Sequence, residues 1–153
     1  MVNIRPAQLQ DIDTIYNLGI SAPEFLVNEN TVNFWPRDIL SGAVNSDDTI
    51  VLVAELDKQV VGFIIANLNV SLRKAIIENI YVNVESRSQG IGDMLISSFL
   101  DMLGGTTVEY VIALVPLDAG QATKLYESAG FEKGETFLWL DKSISETFES
   151  HKN

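Results

Sequence analysis

The chain has 153 residues, enough for one domain whose core needs no covalent staples. It contains no Cys, which excludes a disulfide framework, a thiol nucleophile and a thiolate metal site. With 21 acidic residues against 10 basic ones the net charge is −11, so a phosphate backbone is repelled and a cationic amine attracted. The one histidine, His151, lies in a polar C-terminal stretch, so a Ser-His-Asp triad and a histidine metal site are not expected. No apolar run approaches the ~20 residues of a membrane helix. The first residues carry no signal-peptide pattern. These observations predict a cytoplasmic protein with no nucleic-acid, membrane or metal partner.

In chain order, residues 2–5 read as a short strand ended by Pro6. Residues 11–18 place Ile12, Ile15, Tyr16 and Leu18 close to helical spacing. Residues 21–36 are the least regular part and hold Pro23, Glu24, Phe25, Phe34, Trp35 and Pro36; residues 37–44 suit one or two helical turns. Three apolar, β-branched runs follow at 49–56, 60–70 and 74–84, with connections short enough for an antiparallel meander. Residues 90–103 form a helix with Ile91, Leu95, Ile96, Phe99, Leu100 and Leu103 on its apolar side, closed by Gly104 and Gly105. A strand at 109–115 is expected to lie parallel to the one before that helix. Asp118 opens the last helix, with Gln121 as its capping-box partner, and Gly130 ends it. Runs at 131–133 and 136–140 read as two short strands that complete the sheet. Residues 1–142 therefore read as one α/β (α+β) domain and residues 143–153 as a polar, mobile tail.

The segment from Glu78 to Leu95 carries the chemistry. A strand runs into a glycine-containing turn, and the turn opens a helix. The first N–H groups of a helix have no intrahelical partner, and with the positive helix end they suit a phosphate. Gly90 and Gly92 allow close approach to the backbone, and Arg87 adds a fixed positive charge. A P-loop pattern is absent, and Leu95 occupies the position where a dinucleotide fingerprint needs a small residue.

Arg87-Ser88-Gln89-Gly90-Ile91-Gly92 resembles the [RQ]-x-x-G-x-[GA] signature of the GNAT superfamily of N-acetyltransferases. Residues 122–131, with Ala122, Leu125, Tyr126, Gly130 and Phe131, are similar to the family's A-x-x-L-Y-x-x-x-G-F helix and turn, and Ile4-Arg5-Pro6-Ala7 with Asp11 is a third match. The resemblance implies a mixed, mostly antiparallel sheet of about seven strands, splayed between its fourth and fifth and flanked by about four helices. It also implies acetyl-coenzyme A as co-substrate, bound by Ile80, Tyr81 and Val82 along the acetyl group and pantetheine arm. Arg87, Ser88, Gln89, Gly90, Ile91, Gly92 and Asp93 would hold the pyrophosphate. Ala119, Gln89 and Asp93 depart from common family choices.

Amine acetylation needs a base for the amine and a proton donor for the departing thiolate. By the resemblance these are Glu78 and Tyr126, with Tyr126 also beside the cofactor. The acceptor wall is assigned to Glu24, Phe25, Phe34 and Trp35. The expected function is acetyl transfer from acetyl-coenzyme A to a primary amine of a small molecule or a peptide, by direct attack in a ternary complex and without a metal. A non-catalytic acyl-coenzyme A-binding module is the alternative, and a homodimer is open.

Overall fold

The computed structural model describes residues 1–28, 31–32, 34–142 and 144. The elements are β1 (Val2–Pro6), α1 (Ile12–Ser21), β2 (Leu26–Asn28), β3 (Thr31–Val32), α2 (Arg37–Val44), β4 (Thr49–Leu56), β5 (Gln59–Asn69), β6 (Lys74–Val82), α3 (Ile91–Leu103), β7 (Tyr110–Ala113) and α4 (Gly120–Ser128). Five strands form one mixed sheet in the order β1-β4-β5-β6-β7; β2 and β3 pair with each other apart from it. The first three pairings are antiparallel, and β6 with β7 is parallel, as a crossover through α3 demands. The turn between β4 and β5 is the two-residue Asp57-Lys58, both at positive φ. A hairpin turn of that kind matches the twist of its flanking strands.

The near-continuous apolar runs of β4 and β5 follow from burial on both faces. Val51, Val53, Phe63 and Ile65 join Ile15, Tyr16 and Leu40 of α1 and α2 on one side. Leu52, Ala54, Ile64 and Ala66 join Leu95, Ile96, Phe99 and Tyr126 of α3 and α4 on the other. Ahead of α1, the Arg5 guanidinium grips the buried Asp11 carboxylate at 2.7 and 3.0 Å, and the Gln8 N–H donates to it at 2.7 Å. Burial alone would raise the Asp11 carboxyl; Arg5 and the Gln8 N–H outweigh it and hold Asp11 below the usual carboxylate range.

Two expectations are corrected. Among the described residues the sheet has five strands, not about seven, because residues 131–133 and 136–140 pair with none of them. Phe137, Leu138, Trp139 and Leu140 are all largely exposed. Aromatic strand propensity expresses fit to a pleated, half-buried surface, and here no neighbouring surface supplies one. Nor does Asp118 cap the last helix. Ala119 is the capping residue and makes no side-chain cap bond, so α4 starts at Gly120. The tail beyond residue 144, with His151, lies outside the described residues.

Candidate active site

The two strands that frame the site share only a short ladder, because β7 is four residues long and β6 nine. β7 pairs with β6 only from Lys74↔Tyr110 to Ile77↔Ala113. β6 continues to Val82, so its part from Glu78 to Val82 keeps β5 on one side and, among the described residues, has no strand on the other. The expected splay lies at this place, between the fourth and fifth sheet strands, and Ile80, Tyr81 and Val82 stand on the unpaired part of β6.

The opening begins at a bulge. Ile65 pairs with Asn79 and Ala66 with Ile77, which leaves Glu78 as an extra residue on β6. A bulge of this kind re-aims side chains beside it. Before it, Ala75 and Ile77 pack toward α3; after it, Ile80 does so, while Tyr81 packs toward α1. Glu78 is exposed and accepts from Asn67 Nδ2 at 3.1 Å. Asn67 lies two residues beyond Ile65 on the face that packs against α1 and α2, so Glu78 reaches out on that face. There it lines an open depression of about 540 Å³ with Asp48, Asn67, Asn69 and Lys74.

The residues assigned to the acceptor wall converge on the same face. Phe25 and Phe34 stack at 5.7 Å, and Phe25 packs on Phe63 and Tyr81 at 6.4 and 6.0 Å. Phe34 is buried against Gly19, where any Cβ would collide with its ring. Trp35 Nε1 donates to Asn79 Oδ1 at 2.8 Å. Glu24 accepts from Arg87 at 2.6 Å. Asn79 and Asn67 were not singled out from the sequence. The signal was present in the interval from Ile77 to Ile80, where two residues on one face stand three apart and the period of two slips.

At the end of β6, Asn83 accepts from the Ser86 N–H at 2.9 Å and turns the chain toward α3. Ser88 and Gly90 both take positive φ, 63° and 73°. Met94 N–H closes the first turn on the Gly90 carbonyl at 3.0 Å, so the N–H groups from Gly90 to Asp93 precede the helical ladder. The glycines have different duties. A Cβ on Gly90 would meet nothing within 4 Å, whereas one on Gly92 would press on Leu125 at 3.1 Å. Gly90 thus leaves open space at the helix start, and Gly92 lets α3 approach α4. Asp93 is exposed on the first turn. Arg87 is committed within the protein: its Nε donates to the Val82 carbonyl at 2.8 Å, and its guanidinium lies 5.3 Å from the Tyr81 ring centre.

The second motif is a helix C-cap. Phe131 N–H donates to the Tyr126 carbonyl at 3.1 Å and Gly130 N–H to that of Glu127 at 3.0 Å, with Gly130 at φ 90°. This is a Schellman arrangement, and its accompanying apolar contact is the edge-on packing of Phe131 on Tyr126 at 5.2 Å. The cap fixes Tyr126 on the α3 side of the sheet, in one cluster with Ile77, Ile80 and Val82. Tyr126 is 7 % exposed. Burial pushes its phenol up to about 12.

Residues 47–133 match the family described as acetyltransferase (GNAT) domain. The chain belongs to this family of acetyltransferases, whose members use acetyl-coenzyme A. Among solved structures it is similar to an aminoglycoside acetyltransferase from an uncultured soil metagenomic sample, at 18% identity and TM-score 0.77 over 94% of this chain and 97% of that one. It is also similar to the PaiA N-acetyltransferase from Thermoplasma acidophilum in complex with coenzyme A, at 17% identity and TM-score 0.79 over 90% and 93%. A third likeness is to the ribosomal-protein-alanine N-acetyltransferase from Brucella melitensis biovar Abortus 2308, at 21% identity and TM-score 0.71 over 94% and 100%. At these identities the likeness shows the fold. Among curated proteins none matches. The described residues contain no helix long and apolar enough to cross a membrane and no group of three or more acidic or histidine side chains placed to hold a metal.

Two features are compatible with coenzyme A: the Glu78–Val82 part of β6 has no ladder on its β7 side among the described residues, and a Cβ at Gly90, ahead of the first N–H groups of α3, would meet nothing within 4 Å.

Proposed function

We propose that the chain transfers the acetyl group of acetyl-coenzyme A to a primary amine by direct attack in the opening between β6 and β7. The observation that carries this reading is the end of the β6–β7 pairing at Ile77, next to the bulged Glu78. Ile80, Tyr81 and Val82 line the acyl and pantetheine path, and residues 87–93 receive the pyrophosphate. Bound coenzyme A supplies an activated thioester; the protein's own groups do the rest.

The two faces of the sheet divide the work. From the α1 side, Glu78 takes a proton from the incoming ammonium, directly or through water, and Asn67 holds its carboxylate in place. From the α3 side, Tyr126 faces the departing sulfur. With its phenol pushed up to about 12, Tyr126 keeps its proton across the working range and donates it toward the negative charge that builds there. Glu24, Phe25, Phe34 and Trp35 form the acceptor wall. Asp48 and Glu78 against the single cation of Lys74, with Asn67 and Asn69, give the adjoining depression a polar floor with one net negative charge, which favours a cationic amine. An amine acceptor is supported by the neighbours of the same fold, which are named as an aminoglycoside acetyltransferase and a ribosomal-protein-alanine N-acetyltransferase.

The test is acceptor-dependent release of thiol from acetyl-coenzyme A, screened over small amines, polyamines, amino sugars and peptides. Release with at least one amine class, and stabilisation against heat by coenzyme A but not by NAD, is expected. Stabilisation by coenzyme A without release with any class would favour a binding module instead.

A further inference from the structure

Two asparagine side chains flank Glu78, and they are engaged differently. Asn67 uses both ends of its amide: Nδ2 donates to Glu78 Oε1 at 3.1 Å, and Oδ1 accepts from Thr49 Oγ1 at 3.3 Å. Asn79 uses one end. Its Oδ1 accepts from Trp35 Nε1 at 2.8 Å, and among the described residues its Nδ2 has no partner. An indole N–H only donates, so the atom of Asn79 that meets Trp35 is the oxygen, and the NH2 group points away from the ring. Trp35 thus selects one of the two amide orientations.

The bulge gives that NH2 group its setting. In an unbroken strand, neighbouring side chains point to opposite faces. Here Ile77 and Ile80 both pack toward α3, so the two residues between them, Glu78 and Asn79, share the α1 side. A carboxylate that takes protons and an amide that donates hydrogen bonds therefore stand side by side, on Cα atoms about 3.8 Å apart. Asn79 is half-buried beside the indole, and Glu78 is exposed at the rim of the depression.

We infer that Asn79 selects acceptors in which the carbon next to the amine-bearing carbon carries a hydrogen-bond-accepting oxygen, an N–C–C–O unit as in 2-amino alcohols and α-amino amides. The inference rests on the proposed acetyl transfer at Glu78. With the nitrogen at Glu78, an oxygen on the adjacent carbon reaches the neighbouring side chain, and the Asn79 NH2 donates to it. A polyamine or a lysine side chain puts a methylene group at that place and leaves a desolvated donor unpaired, which is unfavourable. Tyr126, assigned to the departing sulfur, lies on the α3 side, so the Asn79 donor faces the acceptor rather than the thiolate.

The test compares kcat/KM for thiol release with ethanolamine, glucosamine and alaninamide against the plain amines propylamine and cyclohexylamine. The neighbouring oxygen also changes the basicity of the amine, and this cancels when each acceptor is compared between variant and wild type. Asn79→Asp keeps an oxygen for the Trp35 N–H and removes the donor. It should lower kcat/KM for oxygen-bearing amines, relative to plain ones, by roughly three- to tenfold, the worth of one neutral hydrogen bond. Trp35→Phe frees the amide to turn and should move the same ratio in the same direction. A loss confined to ethanolamine and glucosamine assigns the oxygen to a hydroxyl, and one confined to alaninamide assigns it to a carbonyl; either supports the inference. Were Asn79 only a brace for Trp35, Asn79→Asp would leave the ratio as it is in wild type, and that result would overturn the inference alone. So would an equal loss for all five amines, which would put the donor on the thioester. Wild type that releases thiol with no amine would remove the proposed transfer, and the inference with it.

Discussion

Arg87 donates to a Glu24 carboxylate oxygen at 2.6 Å and, through Nε, to the Val82 carbonyl at 2.8 Å. One side chain therefore ties Glu24 of the proposed acceptor wall to the end of β6 and to the loop proposed for pyrophosphate. While it serves Glu24, its charge is partly neutralised toward a phosphate. Replacing Glu24 by Gln should tighten coenzyme A binding by roughly two- to five-fold at low salt, the range of a partly exposed ion pair. Arg87→Gln should loosen it. Isothermal titration with coenzyme A checks both; unchanged affinity in both variants would mean that Arg87 only braces the wall.

The two loop glycines should respond differently to substitution. Gly90 has a left-handed backbone and open space around it. Gly90→Asn tolerates that backbone and places a side chain at the helix start, so it should lose coenzyme A binding with little loss of stability. Gly92→Leu must displace Leu125 and should lower the melting temperature first. Thermal melts of both variants with and without coenzyme A make the comparison.

For Tyr126→Phe, kcat should fall while the acceptor KM changes little, because the hydroxyl acts mainly in the transition state. The ring packing on Phe131 does not use the hydroxyl, so stability should be retained. With the phenol at about 12, its loss of a proton should put no basic limb below about pH 10 in the wild-type kcat profile. An unchanged kcat, with chemistry limiting turnover, would leave Tyr126 as a packing residue.

The Arg5–Asp11 pair sets an acid dependence of stability. The folded Asp11 carboxyl is held below its ordinary value of 3.8. Its contribution is therefore complete at neutral pH and is lost as pH falls below the ordinary value and through the folded one. Asp11→Asn should cost about 2–4 kcal/mol at pH 7, somewhat less than a fully buried pair because Arg5 is partly exposed and keeps Glu55. Urea melts of both proteins at pH 7 and near pH 3 should show that difference shrinking in acid.

Long periodic elements were legible in the sequence because local pattern and burial agree. The apolar side of α3 and the meander of β4, β5 and β6 are examples. The L-Y-x-x-x-G-F run was legible for a reason that the cap explains: Tyr126, Gly130 and Phe131 stand at the spacing a Schellman turn requires. Asn79 was missed because period-two reading assumes an unbroken ladder, and the bulge at Glu78 inserts one residue. Residues 136–140 misled in the opposite sense. Their composition suits a strand, but strand formation depends on a neighbour that composition cannot supply. Asp118 likewise had the right residue type for a cap, while the turn it lies in delays the helix to Gly120.

The division of labour across the opening is tested most directly by kcat/KM for thiol release from pH 6 to 10, in wild type and Glu78→Gln, with the best acceptor amine. Glu78→Gln keeps the shape of the side chain on the bulge and removes the proposed base. At pH 7 the variant should be slower by roughly 10²–10⁴-fold. Part of the rate should return as pH rises toward ~10, the ordinary value of an alkyl amine, because more of the acceptor is then already neutral. Superimposable profiles would contradict the account, since the amine would then reach the opening deprotonated without Glu78.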